Sequence, residues 1–543
     1  VSNVRLPADQ PEGTLADHLA RVLDVARSDI LHYRILRKSL DLRDKSNVTF
    51  VYTTLVDLPP DHTTPIDGSS VHVERYEAEL FHVPLPGEAS LSHRPVIVGT
   101  GPAGLIAGWL LAVAGYRPLL IERGRSVRDR IRDVAAFDNG GPLDPESNYL
   151  FGEGGAGTFS DGKLTCRSSG PDVQRVLELL AECKGKPSIV YEHRPHLGSN
   201  RLPAVVKALR RRIEAAGGEI RFSCRMEDID IANGELRGIG TSSGYLSTSV
   251  AVLAIGHSAR DTYSALRHRG VPFVPKPFQL GVRIEQQQES VNRYQYGAKR
   301  WESMVGAADY SVVARGANDL FSFCMCAGGH IIPSVSAAGF FGTNGMSLSG
   351  RDSPFANSGL MITVTPEMFE SSDIFGGIQL QERYEKRAFE IGRGEYLSPI
   401  QTAADFLEGR RTDSLPPCSY RRGLVAATIG EIVPAIVAST LSRALPLIDR
   451  RWSGRFLKEA ALVGPESRGS APVRIPRHPV TGVADGIRGL YPVGEGAGYA
   501  GGIISAAVDG LRAAKAIIAA YQPLERVVGS QSERNSRRPT REN

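Results

Sequence analysis

Residues 94–124 read RPVIVGTGPAGLIAGWLLAVAGYRPLLIERG, and no other stretch narrows the possible folds so far. Val96, Ile97 and Val98 form the short apolar run of a buried parallel strand, and Gly99, Gly101 and Gly104 follow as G-x-G-x-x-G. Helical residues continue to Ala114, with Gly115 at the position of a C-cap. A second strand over 118–121 ends on Glu122, about 20 residues past the glycines, where an acid can accept hydrogen bonds from an adenosine ribose. The three glycines have distinct physical reasons. Gly99 allows the tight turn, Gly101 lets the backbone approach a pyrophosphate, and Gly104 lets helix and strand pack closely. The helix N-terminus adds partial positive charge for the phosphates.

Glu122 suits an unphosphorylated ribose in either FAD or NAD, and the far end of the chain favours FAD. Residues 489–521 read as a short strand, a glycine-dense turn and a long amphipathic helix. Gly496, Gly498 and Gly501 formally repeat the fingerprint, but no second strand and no ribose-binding acid follow. This segment therefore reads as a return to the first site. Gly494 and Glu495 are expected at the pyrophosphate and ribityl chain, and the amides of Gly502 and Ile503 at the flavin pyrimidine edge. A third match, Gly152, Gly154 and Gly157 in FGEGGAGTFSDGKL, leads into poor helix formers. Its glycines describe backbone that comes very close to something, with Thr158, Ser160, Asp161 and Lys163 available to hydrogen-bond it.

The stretches VIVGTGPAGL, ERG, ESNYLFGEGGAGTFSDGKL, AIGHSARDT, FSFCMCAGG, GTNGMS, ANS, PVRI and LYPVGEGAGYAGGIISAAVDG together resemble the bacterial FAD-dependent dehydrogenase family. These are glutathione-reductase-like flavoproteins with a small N-terminal domain. The chain departs from the family's CMCPGG at Ala327, and from its TSSPVRI at Gly469, Ser470 and Ala471. The resemblance implies an α/β fold: a Rossmann-type FAD-binding domain, an inserted mixed α+β substrate domain, and a ferredoxin-like α+β domain at the start. It also implies that Met226 presents its backbone to adenine. The expected FAD contacts are Gly99, Gly101, Pro102, Ala103, Gly104, Glu122 and Arg123 on the first turn and strand. Gly154, Gly155, Gly157, Thr158, Ser160, Asp161, Gly162 and Lys163 follow on the glycine loop, and Met226, Ala254, Gly256, Gly494, Glu495, Gly501, Gly502 and Ile503 further on.

Composition agrees with a globular enzyme. At 543 residues and 41% hydrophobic, the chain can bury more than one core. The net charge of +5 is small for this length, and no basic run interleaved with aromatics precedes the tail, which argues against nucleic acid as a partner. The longest apolar stretch, 105–114, is too short to span a membrane. The start VSNVRLPADQ lacks signal-peptide regions, and six cysteines without framework spacing suggest a reducing compartment, so a cytoplasmic location is expected. The expected units are 1–91, the FAD domain over 94–274, the insertion over 275–479, the FAD-domain return over 480–521, and a disordered basic tail over 522–543. In the first unit a helix over 15–25 and strands over 30–42 and 47–58 are expected.

Candidate chemistry lies near the insertion. His257, after the strand ending at Ile255, is a candidate proton donor or flavin contact, and Lys163 could offset negative charge on a reduced ring. In the strand 321–326, alternation places Phe321, Phe323 and Met325 on one face and Ser322, Cys324 and Cys326 on the other. The adjacent sequence offers only His330 to activate a thiol, so both cysteines are read as pocket-lining or structural rather than a redox pair. His193 and His196 lack companions at metal spacing, and no metal site is expected. The reading is an FAD-dependent oxidoreductase, with FAD held non-covalently, that transfers a hydride between flavin N5 and a small organic substrate. NAD(P)H is a possible transient donor. A flavin monooxygenase and a non-catalytic FAD-bound binding or assembly protein are the alternatives, and substrate and oligomeric state stay open.

Overall fold

The computed structural model describes residues 1–59, 71–369 and 371–524. The part of the expected tail beyond Leu524 lies outside the described residues. The N-terminal unit comprises β1 (Val4–Pro7), α1 (Leu15–Leu23), β2 (His32–Asp41) and β3 (Thr49–Asp57), in an antiparallel sheet of order β1-β3-β2. Leu15, Leu19 and Leu23 recur every fourth residue on α1 and are buried with Val4, Leu6 and Tyr52. The helix ends where Asp24 turns left-handed at φ 53°. Among the described residues this unit stops at β-α-β-β, so the second α-β pair of a ferredoxin-like fold does not follow it. Residues 73–80 carry no strand or helix, and Pro84 and Pro86 interrupt the stretch before the nucleotide domain.

The nucleotide domain opens with β4 (Val96–Val98), α2 (Pro102–Val113) and β5 (Leu119–Ile121). It continues with α3 (Leu202–Ala215), β6 (Glu219–Arg221), the antiparallel sheet β7 (Met226–Ala232), β8 (Glu235–Thr241) and β9 (Gly244–Ser247), and then β10 (Ala251–Leu253). The insertion supplies β11 (Phe278–Gln287), β12 (Val313–Ala314), β13 (Leu320–Cys326), β14 (Gly329–Pro333), β15 (Thr343–Ser347) and β16 (Phe355–Val364). After them come α4 (Gly376–Ile391), β17 (Ser398–Thr402), β18 (Leu424–Ala426) and β19 (Ala461–Glu466). The chain then returns with β20 (Leu490–Pro492) and α5 (Ile503–Ala520).

The central sheet runs β20-β10-β4-β5-β6, with every pairing parallel. From β4 the chain moves to β5 on one side and later to β10 on the other, so a crevice opens at the carboxyl ends of these strands. Residues following β4, β5, β10 and β20 all line that crevice. Helix α5 lies against α2 at very short range: a Cβ on Gly510 would fall 2.0 Å from the Ala103 carbonyl oxygen. That contact seats the C-terminal segment beside the first glycine turn, as a return segment requires. The insertion is built on the sheet β12-β13-β16-β11-β19-β17-β18, whose core joins Phe278, Leu280, Leu360 and Leu462.

Candidate functional site

One cavity runs from the turn after β4 to the wall of the insertion. Gly99, at φ +99°, has no room for a side chain, because a Cβ would lie 2.4 Å from the Ala254 carbonyl oxygen. Gly104 is closed by packing, with Gly99 oxygen 1.9 Å from its Cβ position. Gly101 differs: a Cβ there meets no atom within 4 Å, and the same holds at Gly501. Space beside these two backbones, at the starts of α2 and α5, is left for a ligand. Both helix N-termini add partial positive charge there, and this donor set fits the pyrophosphate of a dinucleotide.

Of the expected FAD contacts, Gly99, Gly101, Pro102, Ala103, Glu122, Arg123, Gly155, Gly157, Ser160, Asp161, Gly162 and Lys163 line the cavity. Met226, Ala254, Gly256, Gly494, Glu495, Gly501, Gly502 and Ile503 line it too, as does His257. Gly104, Gly154 and Thr158 do not. Gly104 packs helix on strand. Thr158 Oγ1 donates to the Glu153 carbonyl at 3.2 Å and would lie 2.1 Å from a Cβ on Gly154, so both residues shape the loop from behind.

Two other roles differ from expectation. Glu122 faces the cavity, yet its Oε2 accepts from Thr100 N (2.9 Å) and Thr100 Oγ1 (2.7 Å), and its Oε1 from Gly124 N (3.0 Å) and Gly152 N (3.1 Å). A carboxylate offers about four lone-pair positions, and the protein occupies them. Glu122 therefore clamps β4, β5 and the glycine loop together rather than offering a free ribose acceptor. Asp161 is likewise committed, to Arg351 at 2.9 Å and to the Ser347 hydroxyl. Burial works to raise its pKa, and Arg351, Lys163 and Ser347 outweigh it.

Sequence reasoning expected the insertion to supply a wall but did not single out Phe323 and Arg468 in it, nor Arg225 and Thr262 from the nucleotide domain. Behind Arg468 lies a buried ionic triad. Glu385 accepts from Arg260 at 3.0 and 3.1 Å, from Arg468 at 2.9 and 3.0 Å, and from Ser467 Oγ at 2.6 Å. Burial opposes the charge on Glu385, but the two guanidiniums prevail and hold its carboxyl at about 2. Burial, with Arg468 and Arg260, pushes the His257 imidazole down to about 3. His257 is thus neutral at pH 7 and is not an imidazolium donor. The proton sits instead on Glu495, whose carboxyl burial pushes up to about 8, with its Oε1 3.9 Å from His257 Nε2. A protonated acid and a neutral imidazole therefore face one another across the cavity.

The alternation expected through Cys324 fails. Phe323 pairs with Gly359 and Cys326 with Asn357, so β13 carries one extra residue, and Cys324 takes a left-handed φ of 45° at this bulge. The bulge turns Cys324 into the cavity while Cys326 stays buried. The adjacent sequence does supply an activator, Cys326 two residues on, and Lys163 and Arg283 add charge from elsewhere in the fold. The Cys326 thiol, which donates to the Cys324 carbonyl at 3.3 Å, is the largest influence holding the Cys324 thiol down to about 6 against burial. Arg283 also donates to the Cys324 carbonyl at 2.8 Å, and Lys163 Nζ to that of Met325. Among the described residues no group of three or more His, Cys, Asp or Glu is placed to hold a metal. No helix among them is long and apolar enough to cross a membrane.

Residues 277–469 match a family described as FAD-dependent protein, C-terminal domain-like, residues 97–156 an NAD(P)-binding Rossmann-like domain, and residues 1–57 a domain of unknown function. An uncharacterised protein of Clostridium beijerinckii is 37% identical over 523 residues, which cover 95% of this chain and 98% of that one. A thiamine thiazole synthase of Aeropyrum pernix is 28% identical over 145 residues, 26% of this chain and 42% of its own. Among solved structures, a glycine oxidase from Geobacillus kaustophilus aligns with a TM-score of 0.35 at 13% identity, covering 80% of this chain and 97% of that chain. An L-proline dehydrogenase from P. horikoshii aligns at 0.32 and 12%, covering 79% and 93%.

Proposed function

The chain belongs to the family of FAD-dependent flavoproteins that includes the Clostridium beijerinckii protein, and from that premise we propose that it is an oxidoreductase transferring a hydride between flavin N5 and a small organic substrate. FAD is its cofactor. The observation that carries the reading is the continuity of the cavity. It begins at the open backbone of Gly101 and ends at Phe323, Cys324, Asn344 and Arg468 of the insertion, so a second domain closes the space beyond the nucleotide turn. Bound there, FAD supplies a two-electron acceptor and donor. The chain's own residues hold it and set the protons. The amides at the starts of α2 and α5 would face its negative groups, Glu495 keeps its proton below about pH 8, and His257 beside it stays neutral. Nicotinamide nucleotide, where used, is a transient donor in this reading. A cytoplasmic location belongs to it as well, supported by six cysteines that all stand as free thiols.

Denaturing the purified yellow protein should release FAD, and Gly101→Leu should abolish binding because the new side chain enters the ligand's space. Anaerobic photoreduction followed by reoxidation with small acceptors should show the flavin cycling. Release of no flavin, or of nicotinamide nucleotide alone, would overturn the reading. A flavin that never cycles would leave it a structural part.

A further inference from the structure

A second cavity, of about 600 Å³, shares Lys163, Thr165 and Cys324 with the first. All three parts of the chain build it. Arg37 comes from β2, the segments 163–169 and 192–195 from the nucleotide domain, and Ser322 and Met325 from β13. The N-terminal unit is fixed in place by paired backbone bonds, Lys38 N to the Tyr191 carbonyl and His193 N to the Lys38 carbonyl, each 2.8 Å. That anchoring holds Arg37 at the rim.

The charge of this basin is one-sided. Arg37, Lys163, Arg167, Arg194 and Arg351 line it, against the two carboxylates Glu192 and Asp309. Arg194 is spent on Asp309 and Arg351 on Asp161, each at 2.9 Å. The other three cations have no carboxylate within 4 Å among the described residues. Arg37 donates to His193 Nδ1 at 2.9 Å, Lys163 donates to a backbone carbonyl, and Arg167 makes no hydrogen bond or ion pair among the described residues. His193 adds no charge, since burial and the neighbouring Arg37 and Arg194 lower its pKa. Arg37 and Arg167, whose charges no carboxylate among the described residues offsets, both line this cavity, and guanidiniums suit oxyanions, which they bind through paired hydrogen bonds.

We propose that this basin binds the oxyanion, a carboxylate or a phosphate, of a small organic substrate, and that the substrate reaches the flavin end of the first cavity past Lys163 and Cys324. The inference rests on the oxidoreductase reading and adds the substrate's class. Arg37 and Arg167 line only the second cavity, so variants there leave the FAD contacts intact.

The test uses the FAD-loaded protein at low ionic strength, with citrate and inorganic phosphate as probes and glycerol as the neutral control. Binding is read by calorimetry and by protection of Cys324 from a small thiol reagent. Citrate or phosphate should bind and protect where glycerol does neither. Arg167→Glu and Arg37→Gln should each weaken binding about tenfold, and Arg167→Lys, which keeps the charge but loses the paired geometry, should weaken it less. FAD content and visible spectrum should equal the wild type in all three variants, which separates failure of this inference from failure of the flavoprotein reading. No binding of either anion, or equal binding by Arg167→Glu, would overturn the proposal. So would NADPH binding tightly where the small anions do not, because the cations would then serve nucleotide phosphates.

Discussion

Replacing Cys326 with alanine should move the titration of a different residue, Cys324. The Cys326 thiol is the largest influence holding Cys324 at about 6 rather than its ordinary 9.0, ahead of Lys163 and Arg283, while burial acts the other way. At pH 7 a thiol of pKa 6 is roughly 90% thiolate, and one of pKa 9 about 1%. Reaction rate alone is a poor readout of that difference. With a Brønsted slope of about 0.45, a thiolate three units less basic is roughly 20-fold less nucleophilic, so the net gain at pH 7 is only about fourfold. The midpoint of the rate–pH profile is the diagnostic quantity. Wild-type protein treated with dithiodipyridine, with the Cys324 peptide quantified by mass spectrometry, should react at a rate that rises with pH through about 6 and then levels off. In Cys326→Ala the midpoint should climb by about one to two units, and Lys163→Met should move it less. A wild-type midpoint near 9, or one unmoved by Cys326→Ala, would refute the argument.

Glu122→Ala strands the amides of Thr100, Gly124 and Gly152, each costing about 1–3 kcal/mol when buried unpaired; the FAD-free protein should therefore lose about 3 kcal/mol or more in denaturant titration, whereas a residue serving only the ribose would leave FAD-free stability unchanged. Glu385→Gln leaves Arg468 buried without a counter-charge and Arg260 with Glu382 alone, at 3.3 Å, and should cost about 3–5 kcal/mol. Because the folded pKa of Glu385 is depressed to about 2 from 4.5, its contribution is whole above pH 4.5 and is lost as pH falls through about 2, so acid unfolding of the wild type should steepen in that window and the variant should lack that step.

The parts of the fold legible in the sequence are those whose signal is local. Apolar runs, glycines at fixed offsets and a C-cap placed β4, α2 and β5 within a residue or two, because the same few neighbours that make the pattern also make the turn. The C-terminal glycine cluster was legible as a strand, a turn and a helix, and Gly510 against Ala103 is the contact that seats it beside the first turn. The N-terminal unit shows the opposite case. A helix and two strands were visible, but nothing in their periodicity says whether a second helix and strand follow, and among the described residues they do not.

Charge and protonation were not legible, since they are set by contacts and burial that only the fold brings about. His257 could be placed at a strand end from its neighbours, yet Arg468, from just beyond β19, and Arg260 decide that it stays neutral, and Glu385 on α4 decides where those two arginines sit. Cys324 follows the same rule. Sequence reasoning offered only His330 as an activator, and alternation would have set Cys324 on the same face as Cys326. One extra residue in β13 turned it instead toward Lys163 of the glycine loop and Arg283 of β11. His257 is brought to the cavity by the nucleotide domain and its proton is set in part by Arg468 of the insertion, whereas Cys324 is brought by the insertion and set in part by Lys163 of the nucleotide domain. Ala327 and Gly469–Ala471, where the chain departs from the pattern of the family it resembles, all lie in the insertion, and Gly469 itself stands on the cavity wall.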